Sequence, residues 1–289
     1  AIDLRVKVAV EDLPGRTVVE VDNLLIEGFS VDLVTGQVKS AAAVSAVRYI
    51  SAVLKRFDAK DLLIRIDSGI PPAAGLGSSA SIVVATLAAL NGHRDLDLSR
   101  DEIAVQAHRI EKAVQQGLGS PMDTALATYG GYLQVSDGVQ PIDLPELEMV
   151  VGYTEQSHDT RSEVEKVQRL RALYPDIVGP IFDAIGAISA RAVPLIRAGR
   201  LEELGKLMNV NQGLLESVGV CTRELSELVY AARGAGGALG AKLTGAGGGG
   251  CMIALPSPGN QAALVTALEQ ARGRAFLVRT GCEGVRMES

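Results

Sequence analysis

Ile70-Pro71-Pro72-Ala73-Ala74-Gly75-Leu76-Gly77-Ser78-Ser79-Ala80-Ser81 is a glycine-bearing loop that runs into a helix. Before it, Leu62 to Ile66 alternates as a strand does. After it, small and apolar residues continue from Ser78 to about Leu90. A helix apolar nearly all round has to be buried. The loop's glycines allow a tight turn and bring backbone against a ligand. The head of the helix offers free N–H groups and the positive end of its dipole. Two serine hydroxyls add donors and an oxygen able to join a Mg²⁺ shell. Together these features predict a phosphate site that needs little positive charge.

Other readings of this stretch compete with that one. A Walker loop places Lys directly before the hydroxyl residue, and Gly77 stands there instead. Gly75, Gly77 and Ala80 fit the spacing of a dinucleotide loop, and Asp95 follows at a suitable distance. That fingerprint belongs immediately after a strand, however, and Gly69 to Ala74 intervenes with two prolines. The plainest alternative is a buried small-residue helix with a serine cap.

Upstream, residues 2–27 read as strands turning at Pro14-Gly15, and 41–57 as a helix capped by Ser40. Downstream, Ser99 and Glu102 form a capping box for a helix reaching about Gln116. Gly117 and Gly119 break it. Ser120 then caps a new helix with Pro121 at its first position, and Gly130-Gly131 ends that helix before the strand Tyr132 to Val135. The polar connector Asp143 to Glu148 is the expected domain boundary, dividing 1–146 from 147–289. Beyond it we expect a strand at 149–153, four helices over 158–234, and strands at 241–244 and 251–255. A helix at 259–271, a strand at 274–279 and a further strand at the end complete the reading.

Two further clusters bear chemistry. Glu111 lies near one helix end and Asp123 in the first turn of the next, with Ser120 between, and the glycine break allows both carboxylates to fold toward one pocket. Phosphoryl transfer to an alcohol uses one carboxylate for Mg²⁺ and another to accept the hydroxyl proton. An acidic residue in a first turn also has a simpler role, complementing the helix dipole. The other cluster is Lys242-Leu243-Thr244-Gly245-Ala246-Gly247-Gly248-Gly249-Gly250-Cys251. Four consecutive glycines cost entropy on ordering, which a plain hairpin would not need to spend. Close approach to a ligand explains them better. His93, His108 and His158 are not spaced as metal ligands.

The chain's 289 residues suggest about two domains, and 47% hydrophobic content suits packed cores. A net charge of −6, aromatics at 3% and no Trp argue against nucleic acid as a partner. Cys221, Cys251 and Cys282 form no disulfide or zinc pattern. We expect reduced thiols, a cytoplasmic location and no membrane partner, since no unbroken apolar run of spanning length or signal peptide is visible.

Taken in order, the Pro71–Ala80 loop, the Gly119–Ala125 segment with Tyr129-Gly130-Gly131, and the Lys242–Cys251 segment resemble the GHMP small-molecule kinases. Leu207 to Leu215, with Leu225 to Arg233, is similar to the archaeal branch that acts on mevalonate. The resemblance implies an α+β, two-domain fold: an S5-like N-terminal domain, a ferredoxin-like C-terminal domain and a cleft between them. It implies transfer of a phosphoryl group from ATP, with Mg²⁺, to the primary hydroxyl of mevalonate, by a homodimer. Asp123 would be the base. Glu111 and Ser79 would hold Mg²⁺. Gly75, Leu76, Gly77, Ser78, Ser79 and Ala80, with Gly247, Gly248 and Gly249, would hold the nucleotide. Ser120, Thr160 and Gly247 would touch the acceptor. Other acceptors within the family (phosphomevalonate, a sugar, homoserine) and a non-catalytic nucleotide-binding module are the alternatives. The family's opening Pro-Gly-Lys strand and loop has no match here, so about 25–30 residues of a family member are expected to be absent from this sequence. Glu111 to Asp123 is also one residue longer than the family spacing, at Gln115/Gln116.

Overall fold

The computed structural model describes residues 1–288 apart from 24–25, 33–40, 72–73, 118–120, 136–137, 157–159 and 235–236; side chains between 22 and 45 are also left out. The expected Ser40 and Ser120 caps therefore lie outside the described residues.

Alternating side chains make the first sheet. Strand β1 (Val6–Asp12), the hairpin β2 (Val18–Asn23) and β3 (Ile26–Asp32), helix α1 (Ala41–Arg56) and β4 (Leu62–Ser68) follow in sequence. The sheet order is β1-β4-β2-β3. β4 runs antiparallel to β1 and parallel to β2. Reaching the parallel position requires a crossover, which β3 and α1 supply. Helix α2 (Ser78–His93) lies against the sheet, and Val83, Leu87 and Leu90 pack with Ile50, Ile64 and Ile66. Each such fully buried side chain contributes about 1.5–3 kcal/mol. Helix α3 (Arg100–Val114) starts at the predicted capping box of Ser99 and Glu102. Then come α4 (Pro121–Tyr129) and the hairpin β5 (Tyr132–Val135) and β6 (Val139–Ile142). β6 was not expected, because Val139-Gln-Pro-Ile carries a proline and too little alternation.

The second half begins with β7 (Glu148–Tyr153) and continues through α5 (Thr160–Leu173), α6 (Pro175–Arg197), α7 (Leu201–Ser217) and α8 (Arg223–Arg233). It closes with β8 (Ala238–Leu243), β9 (Cys251–Pro256), α9 (Gln261–Gln270) and β10 (Arg274–Arg279). The antiparallel order β10-β7-β9-β8 is ferredoxin-like, with extra helices in the first crossover. β7 is buried along nearly its whole length because both faces are covered. Val150 faces Leu225, Leu228 and Leu264. Met149, Val151 and Tyr153 face the opposite way, where Ala74, Leu76, Ile2 and Leu4 of the first half meet them. This second packing seats the α2 loop against the second sheet.

The expected terminal strand is not formed among the described residues. After β10 the chain returns to the first half, where Val285 packs in the first core and its N–H donates to Ala127 O at 2.9 Å. A Cβ at Gly130 would overlap the Gly284 backbone, so the Gly130-Gly131 pair permits this return.

Candidate active site

Helix α2 opens without the serine cap of the plainer alternative reading. Its N-cap is Gly77, left-handed at φ 70°, and among the described residues it has no side-chain cap hydrogen bond. The first-turn N–H groups face the loop uncommitted to a cap.

Two carboxylates meet this helix head. Glu111, at the end of α3, is 2% exposed. Ser79 Oγ donates to its Oε1 at 2.8 Å, and Gln115 Nε2 donates to the same oxygen at 3.1 Å. Oε2 is buried with no partner. Burial outweighs the two hydrogen bonds, the Asp123 charge adds to it, and the Glu111 carboxyl is pushed up to about 7. Asp123, in the first turn of α4, is raised from its ordinary value by burial. Its Oδ1 lies 3.9 Å from where a Cβ at Gly77 would sit. Gln116 and Gly117, both left-handed at φ 54° and 102°, turn the chain away from the end of α3.

From the second half, Gly245 approaches so closely that a Cβ on it would lie 3.2 Å from Gly75 Cα. The two glycine loops therefore meet. Gly75, Ser79, Glu111, Asp123, Thr160 and Gly245 line one cleft of about 1550 Å³. Leu76, Gly77 and Ser78 line it too, while Ala80 is buried in the helix. Within the second loop, the cleft wall is Thr244, Gly245 and Ala246. Gly247, Gly248 and Gly249 turn behind that wall, against Val220, Glu163 and Gln156. That arrangement differs from the expectation, because a strand-to-strand loop shows only one side to the cleft. Gly248 N donates to Val220 O at 2.8 Å.

The sequence reading assigned no site role to two contributors, Gln115 and Arg161. Gln115 braces Glu111 and also donates to Tyr49 Oη at 3.3 Å. Arg161 lines the cleft and donates to Gln116 Oε1 at 2.6 Å, joining α5 to the end of α3. The i,i+4 spacing of Glu111 and Gln115 was the one available signal for the first pair. Nothing in the local sequence marked Arg161. Ser120 lies outside the described residues.

Glu111 and Ser79 suit Mg²⁺, which is commonly held by one or two carboxylates and by substrate phosphates. The unpartnered Oε2 supplies a free ligand position beside a hydroxyl.

Residues 41–131 match the model of the GHMP kinases N terminal domain, and residues 192–275 that of the GHMP kinases C terminal domain. The mevalonate kinase of Pyrococcus abyssi (strain GE5 / Orsay) is 42% identical over 304 residues, covering 100% of this chain and 90% of that protein. The mevalonate kinase of Methanothermobacter thermautotrophicus (strain ATCC 29096 / DSM 1053 / JCM 10044 / NBRC 100330 / Delta H) is 44% identical over 225 residues, 77% of this chain and 73% of that protein. Among solved structures, L. major mevalonate kinase in complex with R-mevalonate superimposes with a TM-score of 0.82 at 26% identity, covering 99% of this chain and 89% of that one. The Methanococcus jannaschii mevalonate kinase gives 0.80 at 28% identity, covering 97% and 90%. The loop order read from the sequence, the paired carboxylates at the head of α2 and full-length relatives at this identity agree: the chain belongs to the GHMP kinase family.

Proposed function

We propose that this chain transfers the γ-phosphoryl group of ATP to the primary hydroxyl of mevalonate. One observation carries the reading: Asp123, Glu111 and Ser79 converge on the uncapped head of α2, where the two glycine loops touch. The amides and hydroxyls from Gly75 to Ser79 hold the triphosphate, and Thr244 to Ala246 close over it. Glu111 and Ser79 hold Mg²⁺, which neutralises charge on the phosphate oxygens when bound. Asp123 accepts the hydroxyl proton. The acceptor oxygen bonds to the γ-phosphorus, the bond to the β–γ bridging oxygen breaks, and ADP leaves. Burial raises the proton affinity of Asp123, as a base requires. Thr160 and Ser120 are assigned to the acceptor side.

The chain divides into domains at 1–146 and 147–289, with this cleft between them. It works as a homodimer. α6 supports the pairing: its apolar 18-residue window has a mean hydropathy of 1.3, yet 6% of that window is buried. Ile177 and Phe182 stand exposed on it. By length and composition α6 could cross a bilayer. Its internal Pro180 and Pro194, with Asp183 and Arg191, suit a partner helix better.

A coupled ADP-release assay with mevalonate tests the activity. ADP release with phosphomevalonate or a sugar, and none with mevalonate, would overturn the acceptor.

A further inference from the structure

β8 is an edge strand, and edge strands leave a row of backbone groups for water or another chain. Here side chains take that row. Asn209 Oδ1 accepts from Ala241 N at 3.0 Å, and Asn209 Nδ2 reaches Leu239 O at 3.5 Å. Gln212 Oε1 accepts from Leu243 N at 2.7 Å. An Arg233 guanidinium nitrogen donates to Ala241 O at 2.7 Å, and Lys242 Nζ donates to Leu243 O at 2.6 Å. Asn209 and Gln212 lie one turn apart on α7 and so share a face. The helix sits directly on the strand, since a Cβ at Gly205 would overlap Leu239 O and one at Gly240 would overlap Gly205 O.

Gln212 does more than cover the edge. It is fully buried, and its Nε2 donates to Cys221 Sγ at 3.1 Å and to Glu216 Oε1 at 3.0 Å. Cys221 follows Val220, whose carbonyl accepts from Gly248 N and blocks any side chain at Gly247. One carboxamide therefore ties the strand entering the second glycine loop to the turn that backs it. We propose that Gln212 is a positioning residue for nucleotide binding: it sets the gap between the end of β8 and the 218–221 turn, holding Thr244 to Ala246 against Gly75. The inference rests on the reading that this loop faces ATP.

The test uses the full chain and a fluorescent ATP analogue with Mg²⁺, displaced by ATP. Gln212→Met keeps length and burial but leaves the Leu243 N–H without an acceptor. Its ATP affinity should fall about tenfold, the scale of one buried hydrogen bond, with the KM for the acceptor unchanged. Gln212→Glu combined with Glu216→Gln restores the acceptor for Leu243 without placing two carboxylates together, and should recover most of the affinity. Leu264→Ala, on α9 in the second core, lowers stability without removing either hydrogen bond of Gln212 and should leave affinity unchanged. Wild-type affinity in Gln212→Met, or equal weakening in Leu264→Ala, would overturn the inference. If Gln212→Met does not fold, Cys221→Ala replaces it, with a loss of about threefold expected and unchanged affinity counting against the proposal. A wild-type chain that binds no ATP refutes the kinase reading itself; wild-type binding with no response at Gln212 refutes this inference alone.

Discussion

Replacing Glu111 with Gln removes a buried titrating group and keeps its shape. In the folded chain the carboxyl sits at about 7, against an ordinary 4.5. The folded state therefore binds this proton more tightly than the unfolded state. Its stabilising effect is complete below pH 4.5 and is lost as pH rises through the window up to about 7. Carrying both values through the linkage relation, wild type should lose roughly 2–3 kcal/mol from this group between about pH 5 and about pH 8. Glu111→Gln has no such loss, and most other titrations cancel in the difference between the two proteins. Urea unfolding in EDTA at the two pH values measures it. The gap between variant and wild type should move in the variant's favour by that amount at the higher pH. A gap that stays constant would mean the carboxylate is ionised and solvated in the folded chain, and the argument from burial would fail. Mg²⁺ with ATP should then stabilise wild type more than the variant at the higher pH, because it binds the ionised form.

Asp123→Asn should leave ATP affinity nearly intact and cut turnover by about 10²-fold or more, the scale of general-base catalysis, in the coupled assay. Ser79→Ala should raise the KM for Mg·ATP by about tenfold, as expected for loss of a hydrogen bond to a charged group, with little change in the KM for mevalonate. Gly247→Ala places a Cβ into the Val220 carbonyl at a φ of 81°, so calorimetry should show a lower Tm and titration a loss of nucleotide binding. Ile177→Glu with Phe182→Glu puts charge at two exposed positions of α6, and the proposed homodimer predicts that sedimentation shows the unsubstituted chain as a dimer and this variant as a monomer.

Where the signals are local, the sequence alone determined the outcome. The Ser99–Glu102 capping box starts α3 because its partners lie three residues apart. The small-residue run after Gly77 became a buried helix because no polar face lets it do otherwise. The glycine-rich loops at 75–79 and 245–250 stood out by residue type, while Asp123 in a first helical turn did not, because the helix dipole alone accounts for an acid there. The alternation of β1 and β4 likewise placed the first sheet.

Only the tertiary structure decided what depends on distant partners. Glu111 and Asp123 are separate acidic residues in sequence, and their proton affinities rise only when packing removes water from around them. The sequence pointed to Gly247–Gly249 as the ligand-facing part, whereas the fold turns them against Val220, Glu163 and Gln156 and gives the cleft wall to Thr244–Ala246. Arg161 joined the cleft through Gln116, and Gln212 met β8 and Cys221 at once. A side chain's chemistry is written in the sequence, but its solvation and its through-space partners exist only once distant elements have packed together.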